Sequence, residues 1–226
     1  MKILTFSYDD GVKQDARLAE LFHKYGMRAT FNINSELLSL EGKIDWNGMT
    51  ARHDKVDPAD IKRIYQGHEV AAHTLRHPLL PAIEDEAEII RQVEQDRLNL
   101  SELCGYEVVG FAYPCGGKNY DSRVSEIIKR NTGVKYARNI VSNFSFDPQE
   151  NLHEFCPTVH HMNWDKMFEL GEQFLNLKTD EKKIYYVWGH AYEFDFDNSW
   201  DRFERFLKMM SGKEDILYLT NREALL

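Results

Sequence analysis

The chain has 226 residues, 42% of them hydrophobic and 29% charged, with a formal net charge of -9 at pH 7. That length suits one domain with a sizeable core. The acidic balance argues against a nucleic-acid surface, no apolar run approaches membrane-spanning length, and three cysteines (Cys104, Cys115, Cys156) without a Cys-x-x-Cys pair argue against a disulfide scaffold or zinc ribbon.

The start, Met-Lys followed by a strand pattern, lacks the long apolar core of a secretion signal, so the expectation is a cytoplasmic protein or one whose leader has been removed. Lys2–Ser7 is a short apolar run that predicts a buried strand, and it leads into Asp9-Asp10-Gly11. Residues 13–25 then repeat apolar positions at helical spacing and stop at Gly26. Paired acids where a strand gives way to a helix stand at the carboxyl edge of a sheet, where parallel α/β folds build their sites. The same three residues also make an ordinary turn and helix cap.

Met27–Asn34 predicts a second strand. Residues 35–56 are polar and irregular and predict an insertion or long loop near the site rim. Asp57-Pro58-Ala59-Asp60 starts a helix that ends near Gly67. Glu69–Thr74 predicts a third strand, 82–103 a long helix, and Val108–Tyr113 a fourth strand closed by Pro114-Cys115-Gly116-Gly117. Residues 121–131 predict a helix and Val134–Arg138 a fifth strand. Residues 139–163 read as loop, with a short candidate strand at Cys156–His161. A helix at 164–177, a strong strand at Ile184–His190, a helix at 199–211 and a strand at Asp215–Thr220 complete the chain. About seven strand–helix units without a linker predict one domain over 1–226, built as a closed or nearly closed parallel barrel. An open doubly wound sheet is the alternative, but no Gly-x-Gly-x-x-Gly turn follows the first strand.

Three further stretches carry chemistry. His73-Thr74-Leu75-Arg76-His77 places two imidazoles four positions apart, on one face if the stretch forms a helical turn, which Pro78 keeps short. Two histidines and a carboxylate can bind zinc and leave a position open for water; two surface histidines beside a proline turn are the plainer alternative. His190 ends a strand on the same face as Tyr186 and Trp188, a place suited to a general acid or to a hydrogen-bonded core histidine. Phe111–Gly116 ends a strand in a proline and small residues, exposing backbone N–H groups that can hold an oxyanion or merely turn the chain.

Taken together, Ser7-Tyr8-Asp9-Asp10-Gly11, His73-Thr74-Leu75-Arg76-His77, Ala112-Tyr113-Pro114-Cys115 and Val187-Trp188-Gly189-His190, in that order, resemble the motifs of polysaccharide deacetylases of the NodB-homology, carbohydrate-esterase type. The resemblance implies a distorted (β/α) barrel of about seven parallel strands. It implies that Asp10, His73 and His77 bind a divalent metal, usually zinc, and that Asp9 is the general base. By the same resemblance the Cys115 backbone N–H helps hold the oxyanion and His190 protonates the departing amine.

Two departures stand out. The family's third-motif arginine, which holds the base, is Ala112 here; Arg138 is the first candidate to replace it and Arg76 the second. Cys115 replaces the usual tyrosine. Trp164, preceded by His160-His161-Met162-Asn163, stands for the fourth motif, and Asp165, Glu193 and Asp195 are candidate partners of His190. Pro157–His161, with His161, and Trp188–Phe194 resemble a subgroup of the family. Trp46, Trp164, Trp188 and Trp200 offer stacking faces for sugars or belong to the core. The expected activity is metal-dependent removal of acetyl groups from an N- or O-acetylated sugar or polysaccharide. A small-molecule amide hydrolase is the second reading. A carbohydrate-binding protein that has lost catalysis is the third; Ala112 supports it, and the retained Asp9, Asp10, His73, His77 and His190 oppose it. The oligomeric state stays open.

Overall fold

A computed structural model describes residues 1–226. The elements are β1 (Lys2–Asp9), α1 (Asp15–Lys24), β2 (Thr30–Ile33), β3 (Lys43–Trp46), β4 (Met49–Arg52), α2 (Ile61–Ile64), β5 (Glu69–Ala72) and α3 (Glu86–Ile90). A π-helical turn at Arg91–Gln95 joins α3 to α4 (Asp96–Cys104). There follow β6 (Gly110–Ala112), α5 (Ser122–Asn131), β7 (Tyr136–Arg138), β8 (Val159–His160), α6 (Trp164–Asn176) and β9 (Lys183–His190). Helices α7 (Glu193–Phe196) and α8 (Trp200–Met210), strand β10 (Ile216–Tyr218) and helix α9 (Asn221–Leu225) end the chain.

The main sheet is parallel, in the order β7-β6-β5-β2-β1-β9-β8. β10 lies beside Lys2–Leu4 of β1, and β2 beside Ser7–Asp9 on the same edge. Beyond the last named strands, Phe155 bridges Arg138 of β7 and the chain runs on into β8 against β9, so the two ends of the sheet are drawn together. The result is the distorted barrel of seven parallel strands that the family resemblance implies, with β10 as an extra strand.

Strand alternation sorts the side chains. Leu4, Phe6 and Tyr8 join the large core cluster between sheet and helices, where Phe6 packs 4.7 Å from Phe22 of α1 and 6.2 Å from Phe203 of α8. Each such fully buried ring stabilises the fold by about 1.5–3 kcal/mol. The opposite face of β1 carries Ile3, Thr5, Ser7 and Asp9 into the barrel. There the small residues of β6 lie beside the large ones of β7: Gly110 pairs with Tyr136 and Ala112 with Arg138. A Cβ at Gly110 would lie 2.2 Å from the Tyr136 hydroxyl, which instead donates to Glu69 at 2.8 Å. Helix α9 closes the amino-terminal end. Asn221 accepts from Tyr186, donates to Thr5, and receives Thr30 as acceptor for its backbone N–H, each at 2.7–2.8 Å.

Several expectations are corrected. Residues 35–56 are not an irregular loop: they hold a short 3-10 turn and the β3–β4 hairpin, with Asn47 and Gly48 both at positive φ in its turn. That turn geometry favours Asn-Gly. The 82–103 helix starts at Glu86 and is interrupted by the π turn. Helices α7 and α9 were not expected. The His73–His77 stretch is not helical; Thr74 and His77 take φ of 68° and 60°, which reverses the chain ahead of Pro78. The three cysteines are free and half-buried. No helix is long and apolar enough to cross a membrane.

Candidate active site

The carboxyl ends of β1, β5, β6, β7 and β9 open into one cavity of about 650 Å³. Asp9, Asp10, His73, His77, Cys115 and His190 all line it. Four of the eight non-glycine residues with left-handed φ belong to this site: Asp10 (84°), Thr74 (68°), His77 (60°) and Cys115 (71°). Such conformations cost about 1–3 kcal/mol each and persist where surrounding contacts hold them.

Asp10, His73 and His77 bring one carboxylate oxygen and two ring nitrogens within 4.8 Å of one another. His73 Nε2 lies 3.8 Å and His77 Nε2 3.5 Å from Asp10 Oδ1. His73 Nδ1 is 2.8 Å from the Ala112 carbonyl, which fixes that nitrogen as the donor. Nε2 therefore keeps its lone pair; it is buried and has no hydrogen-bond partner. Burial pushes His73 down to about 4, outweighing Asp9 and Asp10, so the ring is neutral near pH 7. An orphaned lone pair beside an ionised carboxylate and a second imidazole fits a divalent metal, and the N,N,O donor set suits zinc.

The loop is braced from below. Asp96 accepts from the backbone N–H of Ser35 at 2.7 Å and of His73 at 2.9 Å. Gln92 accepts from Leu75 N–H through its carbonyl at 3.0 Å and from Arg76 N–H through its side chain at 3.2 Å. Both residues come from the π turn or its exit, and such turns recur at functional sites. Asn34 donates to the His73 and Thr74 carbonyls.

Asp9 is held on its other side. Arg138 Nη2 reaches both carboxylate oxygens at 2.5 Å, and Asn32 donates to Oδ1 at 2.7 Å. The guanidinium is fully buried and lies 4.6 Å from the Trp188 ring. Burial works against the Asp9 charge, but Arg138, then His73 and His190, outweigh it and hold the carboxyl below its usual range. Of the two candidate arginines, only Arg138 meets Asp9; Arg76 pairs with Glu36.

Glu193 is the carboxylate beside His190. Its Oε1 lies 3.3 Å from His190 Nδ1 and its Oε2 accepts from the His190 backbone N–H at 2.9 Å. The same Oε2 lies 3.2 Å from His160 Nε2 and 2.9 Å from His161 Nε2; neither His161 Nε2 nor His190 Nδ1 makes an aligned hydrogen bond. Burial opposes the His190 charge, yet Glu193, then Asp10 and Asp9, raise it to about 9. Asp165 pairs with exposed Arg202, and Asp195 with Gln14 and Trp200, so neither is the partner. His161 and Trp164, whose ring planes are 11° apart, stand behind Glu193 and do not line the cavity. Trp200 packs on Phe194 in the core, leaving Trp46 and Trp188 as the cavity tryptophans. Cys115 N lies 3.4 Å from His77 Nε2, so its N–H is directed at the same space as the two imidazoles.

The polysaccharide deacetylase family model matches residues 1–137. The chain belongs to the polysaccharide deacetylase family. The matched part of this deacetylase-family chain carries the Asp-Asp-Gly, His73–His77 and Cys115 stretches; His190 and Glu193 lie beyond it. No curated protein matches. Among solved structures, the family 4 carbohydrate esterase of Streptomyces lividans, in complex with acetate, is similar at 13% identity and TM-score 0.56, over 92% of this chain and 88% of that one. The Xyl-CE4 domain of a multidomain xylanase from the hindgut metagenome of Trinervitermes trinervoides is similar at 14% identity and TM-score 0.60, over 99% and 89%. The Streptococcus pyogenes deacetylase PplD is similar at 18% identity and TM-score 0.49, over 60% of this chain; the chain spans 55% of PplD's length. The likenesses to the Streptomyces lividans esterase and the Xyl-CE4 domain show the fold.

Reading the residues alone missed the hairpin's chemistry. His53 Nε2 is 3.0 Å from Asp10 Oδ2, and Lys55 Nζ donates to the Asp10 carbonyl at 2.7 Å and lies 3.7 Å from Oδ1. Burial opposes the Asp10 charge, but Lys55 and His53 keep the carboxyl well below its usual range. Neither residue sits in a periodic segment. Asn32 was the findable one, because it is the register partner of Asp9 across β1 and β2.

Proposed function

We propose that this family member is a metal-dependent hydrolase that removes acetyl groups from an N-acetylated, or O-acetylated, sugar, and that residues 1–226 act as one catalytic domain. The observation that carries the reading is the unpartnered His73 Nε2 facing Asp10 and His77 in a cavity that also holds Asp9 and His190. Asp10, His73 and His77 would hold the metal; when bound, it supplies Lewis acidity, which makes a water more acidic and polarises a carbonyl.

The protein's own groups then divide the proton work. Asp9, ionised and oriented by Arg138 and Asn32, takes a proton from the attacking water. The Cys115 N–H donates to the oxygen that gains charge as the carbonyl becomes tetrahedral. His190, kept protonated beside Glu193, delivers a proton to the departing nitrogen. A new C–O bond forms, the C–N bond breaks, and acetate and a free amine leave. With an ester the leaving group is a hydroxyl. A pure binding role is not favoured, because a binding site needs no buried base and acid on either side of an orphaned imidazole.

Acetate release with added zinc and with chelator, across N- and O-acetylated sugars, tests the reading. Release that stops with chelator and in Asp10→Ala supports it. No release from any member by metal-loaded protein overturns it.

A further inference from the structure

The cavity is roofed. The β3–β4 hairpin supplies Ile44, Asp45 and Trp46 to its wall, and α7 supplies Phe196. The Trp46 and Phe196 rings meet at 6.0 Å, with planes 32° apart. At the hairpin's base, Gln14 Nε2 donates at 2.8 Å both to the Arg52 carbonyl and to Asp195 Oδ2 on α7. His53, just beyond β4, is pinned to Asp10 and packs edge-on against Tyr192 at 5.0 Å. The hairpin is thus tied to the α7 side at base and tip. Asp10 stands beneath it.

A polymer threading past the metal-binding residues would need both sides of the cavity open. The joined hairpin and α7 close one of them. The remaining space, about 650 Å³, lies within the roughly 300–1,000 Å³ typical of pockets that bury a small ligand. Its lining also includes the apolar side chains of Leu37, Ile44 and Ile140 as well as the two rings. Its cations are already engaged, Lys55 by Asp10, Arg76 by Glu36 and His190 by Glu193, so a neutral occupant suits it better than an anionic one.

We infer that the site takes a compact, neutral acetylated sugar, either free or as the end of a chain, and not the interior residues of a polysaccharide. The Trp46–Phe196 contact is the specificity device. This inference rests on the activity proposed above. An occupant of that kind enters end-first, places its acetyl group between Asp9 and His190, and lays its ring against Trp188 or Trp46.

The test is a ladder of N-acetylhexosamine oligomers from one to six units, with a long polymer and a simple aryl acetamide beside it. Acetate is measured, and mass spectrometry locates the sugar that lost its acetyl group. The expected result is a kcat/KM at least about tenfold higher on the one- and two-unit sugars than on the polymer, with only the terminal sugar of longer oligomers deacetylated. In Trp46→Ala/Phe196→Ala the ratio of six-unit to two-unit activity should rise several-fold, melting temperature serving to check folding. Deacetylation of interior sugars by the wild-type enzyme, at rates matching the two-unit sugar, overturns the inference and leaves the proposed activity standing. Release from the aryl acetamide alone keeps the compact site and overturns the sugar. No release from any member overturns the proposed activity, and the inference with it.

Discussion

Arg138→Met removes from a buried carboxylate the cation that does most to hold it ionised. Both groups are buried, Arg138 fully and Asp9 to 2% exposure, so water does not take over the lost contact. Asn32 Nδ2, at 2.7 Å, remains as the one side-chain donor to Asp9 among those in contact. Breaking one partner of a buried ion pair costs about 3–5 kcal/mol. For a chain of this length that lowers the melting temperature by roughly 6–20 °C, at about 2–4 °C per kcal/mol. The carboxyl loses the strongest influence lowering its pKa, so it rises, and the acid limb of kcat/KM moves to higher pH. The sign for stability follows the same shift. Asp9, depressed in the folded state, stabilises the wild type above its unfolded pKa of about 3.9 and loses that contribution as pH falls through the folded value. Asp9→Asn in the Arg138→Met background removes the unpaired charge. The double variant should regain about 1–3 kcal/mol of the loss in a thermal or urea cycle, while staying inactive. Arg138→Lys should fall between, because a single ammonium lacks the second nitrogen with which Arg138 also holds the Asn139 carbonyl. An Arg138→Met protein within about 1 kcal/mol of wild type, with an unmoved acid limb, refutes the reasoning. So does a double variant no more stable than Arg138→Met.

Glu193→Gln should drop His190 from about 9 toward its ordinary range, moving the alkaline limb of kcat to lower pH. His190 is raised in the folded state, so its stabilisation is complete below about 6.5 and fades as pH rises through about 9; the stability gap between wild type and variant should narrow over that window in melts at successive pH values. Zinc at 100 times its Kd should stabilise the wild type by about 2.7 kcal/mol in thermal melts, and His73→Ala should show no such rise. Asp96→Ala strips an acceptor from the backbone N–H groups of Ser35 and His73. Zinc affinity measured by calorimetry should then fall by about 10–100-fold, with a stability loss of about 1–3 kcal/mol.

The parts of this site that were legible in the sequence are those written locally. A strand that runs into two acids and a glycine, a His-x-x-x-His after a strand, and a histidine closing an apolar strand each announce a carboxyl edge. The conformation between the histidines was not legible, because helical spacing and a left-handed reversal both bring residues four apart together. The structure uses the reversal, at Thr74 and His77. The hairpin carried a usable signal, Asn47-Gly48 between short apolar-polar runs, that the polar surroundings hid. Glu193 could be narrowed only to three acids, since its bond to the His190 backbone depends on the chain turning at once into α7. His53 and Lys55 reach Asp10 across 43 and 45 residues, distances over which a pattern has no reach.

The arginine shows what register adds. Ala112, where the family resemblance leads one to look for the cation, is the direct partner of Arg138 in the β6–β7 ladder. Partners in a parallel pair point to the same face, so the guanidinium has moved one strand sideways at the same height and still enters the barrel. The exchange needs a small neighbour: Gly110 makes room for Tyr136 one step below, and Ala112 does so for Arg138. Ala112→Arg alone should therefore be destabilising, by about 1–3 kcal/mol or more of overpacking, because it puts a second guanidinium into occupied space. Ala112→Arg with Arg138→Ala empties that space and restores a single cation within reach of Asp9. Its melting temperature and acid limb should move back toward wild type. A double variant that behaves no better than Ala112→Arg would mean that the position of the cation, and not only its presence, is set by contacts unique to β7, with Trp188 and the Asn139 carbonyl the first of them.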